Sequence, residues 1–145
     1  MRLTTVKLLI FPVGNLWLSL ALEGVKKVIP RPEIIKGRQP YLGLCYFENQ
    51  EVTVIDLSQK ILGQEFRSDK SYLIVVQSPK GLYGITVTKL PLMRDVPSNQ
   101  LHPVPAEYRE RDTLNIASHM LQVSLQPNQA ETVFLLDEKR LIELI

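Results

Sequence analysis

Apolar and polar positions alternate most strictly in LWLSLAL, where Leu16, Leu18, Leu20 and Leu22 fall on one face and Trp17, Ser19 and Ala21 on the other. A period of two is that of a β-strand, whose successive side chains point to opposite sides. The run VKLLIF precedes it, and Gly14-Asn15 lies between, the glycine supplying the positive φ of a type II′ hairpin turn. Residues 5–22 are therefore predicted to form a hairpin. The arrangement is written again further on. SYLIVVQS reads as a buried strand, Pro79-Lys80-Gly81 as a turn, and LYGITVTKL alternates with Tyr83, Ile85 and Val87 opposite Gly84, Thr86 and Thr88. This predicts a second hairpin over residues 71–88.

Each hairpin runs into a connection punctuated by proline, at Pro30, Pro32 and Pro40 after the first and at Pro97, Pro103 and Pro105 after the second. Beyond each connection a further strand pair stops at an aspartate, in EVTVID at Asp56 and in ETVFLLD at Asp137, and a short helix-like run follows. The chain thus reads as two copies of hairpin, linker, hairpin and helix, an internal pseudo-repeat. The expected fold is mainly β, in two small barrels or curled sheets with short helices.

The two aspartates invite a catalytic reading, but their surroundings predict helix caps. Asp56 opens DLSQKILG, where its carboxylate is placed to accept from free backbone N–H groups of the first turn, with Gln59 three residues on to complete a capping box. Gly63 stands where a helix end calls for positive φ. Asp137 repeats the role ahead of EKRLIELI, with Glu138 near the positive end of the helix dipole. A general base, nucleophile or metal ligand needs a second titratable group nearby, and no HxxxH, HExxH, DxDxD or GxSxG pattern offers one.

Composition narrows the classes further. With 145 residues, 45% apolar and 22% charged, the chain has the balance of one folded domain rather than of a disordered tail. Its single cysteine, Cys45, excludes an internal disulfide and fits a reducing, cytoplasmic setting, where a buried thiol in an apolar strand is the expected role. The start of the chain is basic and leucine-rich like a signal peptide, yet Pro12, Gly14 and Asn15 break the apolar run, so an intact N-terminus and no membrane insertion are expected. A net charge of +2 is too small to steer the molecule onto nucleic acid. Locally, Lys26, Lys27, Arg31, Lys36 and Arg38 face only Glu33, a run that reads as a solvated connection because no stacking aromatics are interleaved. His102 and His119 have no ligand-like companions, and the scattered glycines form no phosphate loop.

Taken in order, FPVGNLWLSLALEGVKKVI, YLGLCYFENQEVTVIDLSQKILG, SYLIVVQSPKGLYGITVTKL and TVFLLDEKRLI resemble the CheW-like domain, the bacterial chemotaxis coupling module, over nearly the whole chain. The specificity lies in the order of elements, since no motif is catalytically diagnostic. The resemblance implies two intertwined five-stranded β-barrels with a hydrophobic core between them, residues 1–145 making one domain of two pseudo-repeated lobes. It implies no catalysis, no cofactor and no metal. The implied partners are the regulatory domain of a histidine kinase and the cytoplasmic tip of a methyl-accepting chemoreceptor, with no nucleic acid. The implied location is the cytoplasm, with recruitment to receptor arrays at the membrane.

Two contact regions follow from the resemblance. The family usually carries asparagine, a hydrophobic residue, arginine and glycine at the hairpin turn before VxPVIDL; here the four positions are Tyr46, Phe47, Glu48 and Asn49, and the usual proline is Thr53. Asn49 tolerates the left-handed conformation in place of glycine, whereas Glu48 reverses a charge. Tyr46 and Phe47 are either interface anchors or packing against the neighbouring barrel. The second region is Val25, Lys27, Val28 and Ile29, whose three apolar members share one face if the run makes a helical turn, the alternative being burial under the linker. An adaptor is the leading expectation, and an interaction protein of the same fold with a non-standard partner is the other.

Overall fold

The computed structural model describes residues 4–64, 70–109 and 115–145, and the statements below concern these. β1 (Thr5–Val13) and β2 (Leu16–Ala21) pair antiparallel across Gly14-Asn15, with Gly14 at φ 57 and Val13 opposite Leu16. β3 (Val25–Pro30) and β4 (Ile35–Lys36) follow, then the hairpin of β5 (Leu42–Phe47) and β6 (Gln50–Ile55), and the helix α1 (Leu57–Leu62). The second half repeats this order. It contains the hairpin of β7 (Tyr72–Ser78) and β8 (Gly81–Val87), then β9 (Leu92–Pro97), β10 (His102–Pro103) and the short helix α2 (Ala106–Arg109). It ends with the hairpin of β11 (Ala117–Gln126) and β12 (Gln129–Leu136) and the helix α3 (Glu138–Glu143).

These strands form two sheets with one topology. One runs β9-β1-β2-β12-β11-β10 and the other β3-β7-β8-β6-β5-β4. The inner pairs β2·β12 and β6·β8 are parallel, and every other pairing is antiparallel. Each sheet therefore takes its antiparallel starting hairpin from one half of the chain and its remaining four strands from the other. The halves are exchanged, and neither sheet is complete without both. Each sheet has six strands where the resemblance implies five, because a two-residue edge strand, β4 or β10, is added to five strands of six to ten residues.

Strand parity sorts the side chains into three cores. Within the second sheet lie Cys45, Phe47, Val52, Val54, Leu73, Val75 and Leu82, and within the first Leu8, Ile10, Val96, Leu121, Val123 and Val133. The outer faces meet in a third and larger cluster that includes Leu9, Phe11, Leu18, Leu20, Ile55, Ile74, Tyr83, Ile85 and Leu141. The alternation of LWLSLAL is thus apolar toward the central core through Leu18 and Leu20, while Trp17 packs on the inner core of its own sheet. Ser19 on that inner side is buried and donates to the Phe134 carbonyl at 3.1 Å. Gly84 holds the matching place in the other sheet, where a Cβ would stand 2.8 Å from a Leu73 methyl carbon. Close packing there admits only a very small residue.

The run from Val25 to Ile29 is strand, not helical turn. It pairs with β7, and a register shift between Val25 and Lys27 inserts an extra residue. That bulge lets Val25 and Val28, three apart, lie on the same face against the central core, while Ile29 turns to the inner core of its sheet. The apolar members do not share the single face that a helix would give. Pro30 and Pro97 close β3 and β9 rather than lying in strand-free linkers. Proline is tolerated there because both are terminal strands of their sheets.

Candidate functional site

Asp56 and Asp137 hold helix ends. The Asp56 carboxylate accepts from the Gln59 N–H at 3.1 Å and from the Ser58 hydroxyl, and Gly63 closes α1 at φ 67. The backbone N–H of Asp56, which a capping box would offer to the Gln59 side chain, instead donates to the Tyr41 carbonyl at 2.8 Å. Sheet register takes over that half of the expected box. Asp137 accepts from the Lys139 N–H at 3.1 Å and lies 3.7 Å from the Arg140 guanidinium. Asp56→Ala is expected to cost about 0.5–2 kcal/mol, read as a lower urea midpoint with an unchanged slope, and to leave partner binding intact.

Among the described residues no group of three His, Cys, Asp or Glu side chains is placed to hold a metal. His102 is exposed on β10, and His119 engages the neighbouring Ser118 hydroxyl through Nδ1 at 2.8 Å. Cys45 is buried, and burial pushes its thiol pKa up, away from the thiolate that nucleophilic chemistry requires. No helix among the described residues is long and apolar enough to cross a membrane.

The β5–β6 hairpin carries a distinctive part of the described surface. Phe47 faces the inner core at 8% exposure, whereas its neighbour Tyr46 projects from the outer face at 56%. Leu44 lies on the same face two residues earlier, and Ile35 on β4 sits directly across from it at 58% exposure. Ile35, Leu44 and Tyr46 thus form an apolar ridge where the outer face runs beyond the cover of the other sheet. Glu51 is across from Tyr46, and Glu48-Asn49 makes the turn at its tip. Both turn residues have positive φ, 51 and 66, as a type I′ hairpin turn requires.

The other sheet supplies an internal control. Its parallel pair sets Val133 against Trp17 as β6 sets Val52 against Leu82, so Leu121 matches Cys45 and the neighbouring positions follow. The counterparts of Ile35, Leu44, Tyr46 and Glu51 are then His102, Met120, Gln122 and Thr132. Gln122 donates to the Thr132 hydroxyl at 2.7 Å, closing the polar surface on itself. The fold therefore accommodates polar residues at the places of Ile35, Tyr46 and Glu51, and the exposed Ile35 and Tyr46 are not a requirement of folding.

The residues of the second contact region lie apart from this ridge, on β3. Val25, Val28 and Ile29 are half-buried against the cores, and Lys26 and Lys27 are exposed. A further apolar strip, Leu90, Leu92 and Met93, is exposed on and just before β9. Sequence reading missed it and also missed Ile35, because a two-residue strand has no periodicity to detect.

A family model described as CheW-like domain matches residues 7–145 of the chain. A solved structure described as the scaffolding protein TtCheW from Thermoanaerobacter tengcongensis superimposes with a TM-score of 0.78 at 15% identity. The alignment covers 94% of this chain and 87% of that one. The likeness to that structure concerns the fold. No curated protein matches the sequence.

Proposed function

The chain belongs to the CheW-like domain family, and on that premise we propose that it is a non-catalytic adaptor coupling chemoreceptor signalling tips to a histidine kinase in a chemotaxis-type pathway, serving taxis or pilus-based motility. It acts by presenting separate surfaces to the two partners, in the cytoplasm and at receptor arrays. The observation that carries this reading is the apolar ridge of Ile35, Leu44 and Tyr46, whose two exposed members, Ile35 and Tyr46, are matched on the other sheet by the polar His102 and Gln122. Exposed aromatic and aliphatic area that the fold does not require at these positions marks a surface kept for a partner. Val25, Lys27, Val28 and Ile29 belong to the second surface, with Lys27 its solvent-facing member and the three apolar residues shaping the strand beneath.

One observation favours a second reading, an interaction protein of this fold whose partner lies outside receptor–kinase coupling: Glu48 stands where the family usually has arginine. Co-elution decides between them. The purified chain is mixed at two salt concentrations with a receptor tip fragment and, separately, with the kinase regulatory domain from the same cell. Co-elution with both is the expected result. Folded protein that binds neither partner at either salt concentration rejects the adaptor reading in favour of the second.

A further inference from the structure

We infer that the face built from Ile35, Leu44 and Tyr46 docks a protein surface that presents an apolar residue ringed by lysine or arginine. The apolar part follows from exposure and strand parity, which place Tyr46 and Ile35 on one ridge open to solvent. The cationic part follows from what surrounds Tyr46. Glu51 lies directly across the hairpin from it, Glu48 is two residues on at the turn, and Glu33, two residues before Ile35, is exposed on the approach to β4. Among the described residues no hydrogen bond or ion pair engages the side chains of these three glutamates. The chain as a whole carries a formal net charge of +2, and the run around Ile35 is basic, so the acidic character is confined to the Tyr46 end of the ridge. Of the basic residues, Lys36 and Arg38 lie beyond Ile35 at the opposite end of the ridge from the turn, and Lys80 lies in the β7–β8 turn, whose strand β8 pairs parallel with β6.

An apolar anchor fenced by unpaired carboxylates repels an acidic surface and attracts a basic one, and close to the ridge, where water is excluded on docking, the difference is large. The position of Glu48 points the same way. It occupies the left-handed region at φ 51, where glycine or asparagine is at home and glutamate is disfavoured. A turn selected for folding alone would place one of those residues there. This inference gives the partner chemistry of the surface invoked for the adaptor, and it rests on that reading only for the existence of a protein partner.

The test uses Tyr46→p-benzoylphenylalanine in the full chain, expressed in the cell that encodes it, with Gln122→p-benzoylphenylalanine as control and the crosslinked peptides mapped by mass spectrometry. The expected result is a peptide from another protein, in a lysine- or arginine-rich surface, captured at Tyr46 and not at Gln122. Capture of an acidic surface, capture of a second copy of this chain, or no capture above the control overturns the inference. The identity of the captured protein tests the adaptor reading separately, since a basic surface on a protein other than kinase or receptor keeps the inference and rejects that reading. Glu48→Gly, made alongside, is expected to raise the unfolding midpoint while weakening binding to the captured partner roughly three- to tenfold at low salt, the difference shrinking at high salt. A purely structural Glu48 would leave binding unmoved or improved.

Discussion

Phe11→Ala is expected to destabilise the entire chain by about 3–5 kcal/mol and to do so in one transition. Phe11 is completely buried in the cluster between the two sheets, so truncation removes the transfer energy of a benzyl group and leaves a cavity that rigid strands on both sides cannot close. The single transition is the more informative part. β1, which carries Phe11, comes with its hairpin partner β2 from the first half of the chain but belongs to the sheet whose remaining four strands, β9 to β12, come from the second half. Because the hairpins are exchanged, neither sheet persists when the other half unfolds. Thermal melting followed by far-ultraviolet and near-ultraviolet dichroism should give coincident curves, displaced downward by roughly 10 °C for a chain of this size. Two separated transitions, with one sheet surviving the loss of Phe11, would show that the halves fold independently and that the central core is a contact between finished domains.

Much of this architecture is legible in the sequence because period two is a strong signal wherever one face is buried. LWLSLAL and LYGITVTKL fall in β2 and β8 for that reason, and Gly14, Gly63 and Asn49 stand at positive φ as their residue types require. The exchange of hairpins is not legible. A strand's periodicity tells which face is buried but not which sheet it joins, and the parallel pairings β2·β12 and β6·β8 connect strands far apart in the chain. β3 was obscured by its bulge, which turns the even spacing of a strand into the three-and-four spacing of a helix at Val25, Val28 and Ile29. β9 was obscured by Pro91 and Pro97 and by its exposed Leu92 and Met93.

At the candidate surface, parity resolves what residue type leaves open. Tyr46 and Phe47 are both aromatic neighbours near a turn, yet Phe47 is in step with Cys45, and Cys45 faces Val52 across the hairpin. That places Phe47 in the inner core and Tyr46 outside, a distinction already implicit in the alternation of Cys45 and Phe47 with Val52 and Val54. Glu48 carries the clearest conflict between local preference and fold, since a glutamate in the left-handed region costs roughly 1–2 kcal/mol. Such conflicts concentrate where a surface is shaped for something other than folding. Val25, by contrast, packs on the central core, so Val25→Glu is expected to lower stability as well as binding and does not isolate a contact.

Ile35→Asp and Tyr46→Ala isolate it instead, and each is expected to weaken partner binding by about thirty- to a hundredfold, which corresponds to about 2–3 kcal/mol for a central anchor residue. Both side chains are more than half exposed, Ile35 at 58% and Tyr46 at 56%, so neither change opens a cavity, and the unfolding midpoint should hold within the scatter of surface substitutions. Measured by calorimetry against the kinase regulatory domain, the two losses should also fall short of additive when combined. Leu44, which lies across from Ile35 and two residues from Tyr46, links them into one ridge, and a partner that has lost one anchor gains less from the other. His102→Asp and Gln122→Ala, the same changes at the matching places of the other sheet, should leave that affinity unaltered. If the two pairs of substitutions weaken binding equally, the partner grips the pseudo-symmetric fold as a whole. If only the Ile35 and Tyr46 changes do, the asymmetry between the two sheets at these matching positions is what sets the orientation of the complex, because only one of the two pseudo-equivalent faces offers the partner its anchors.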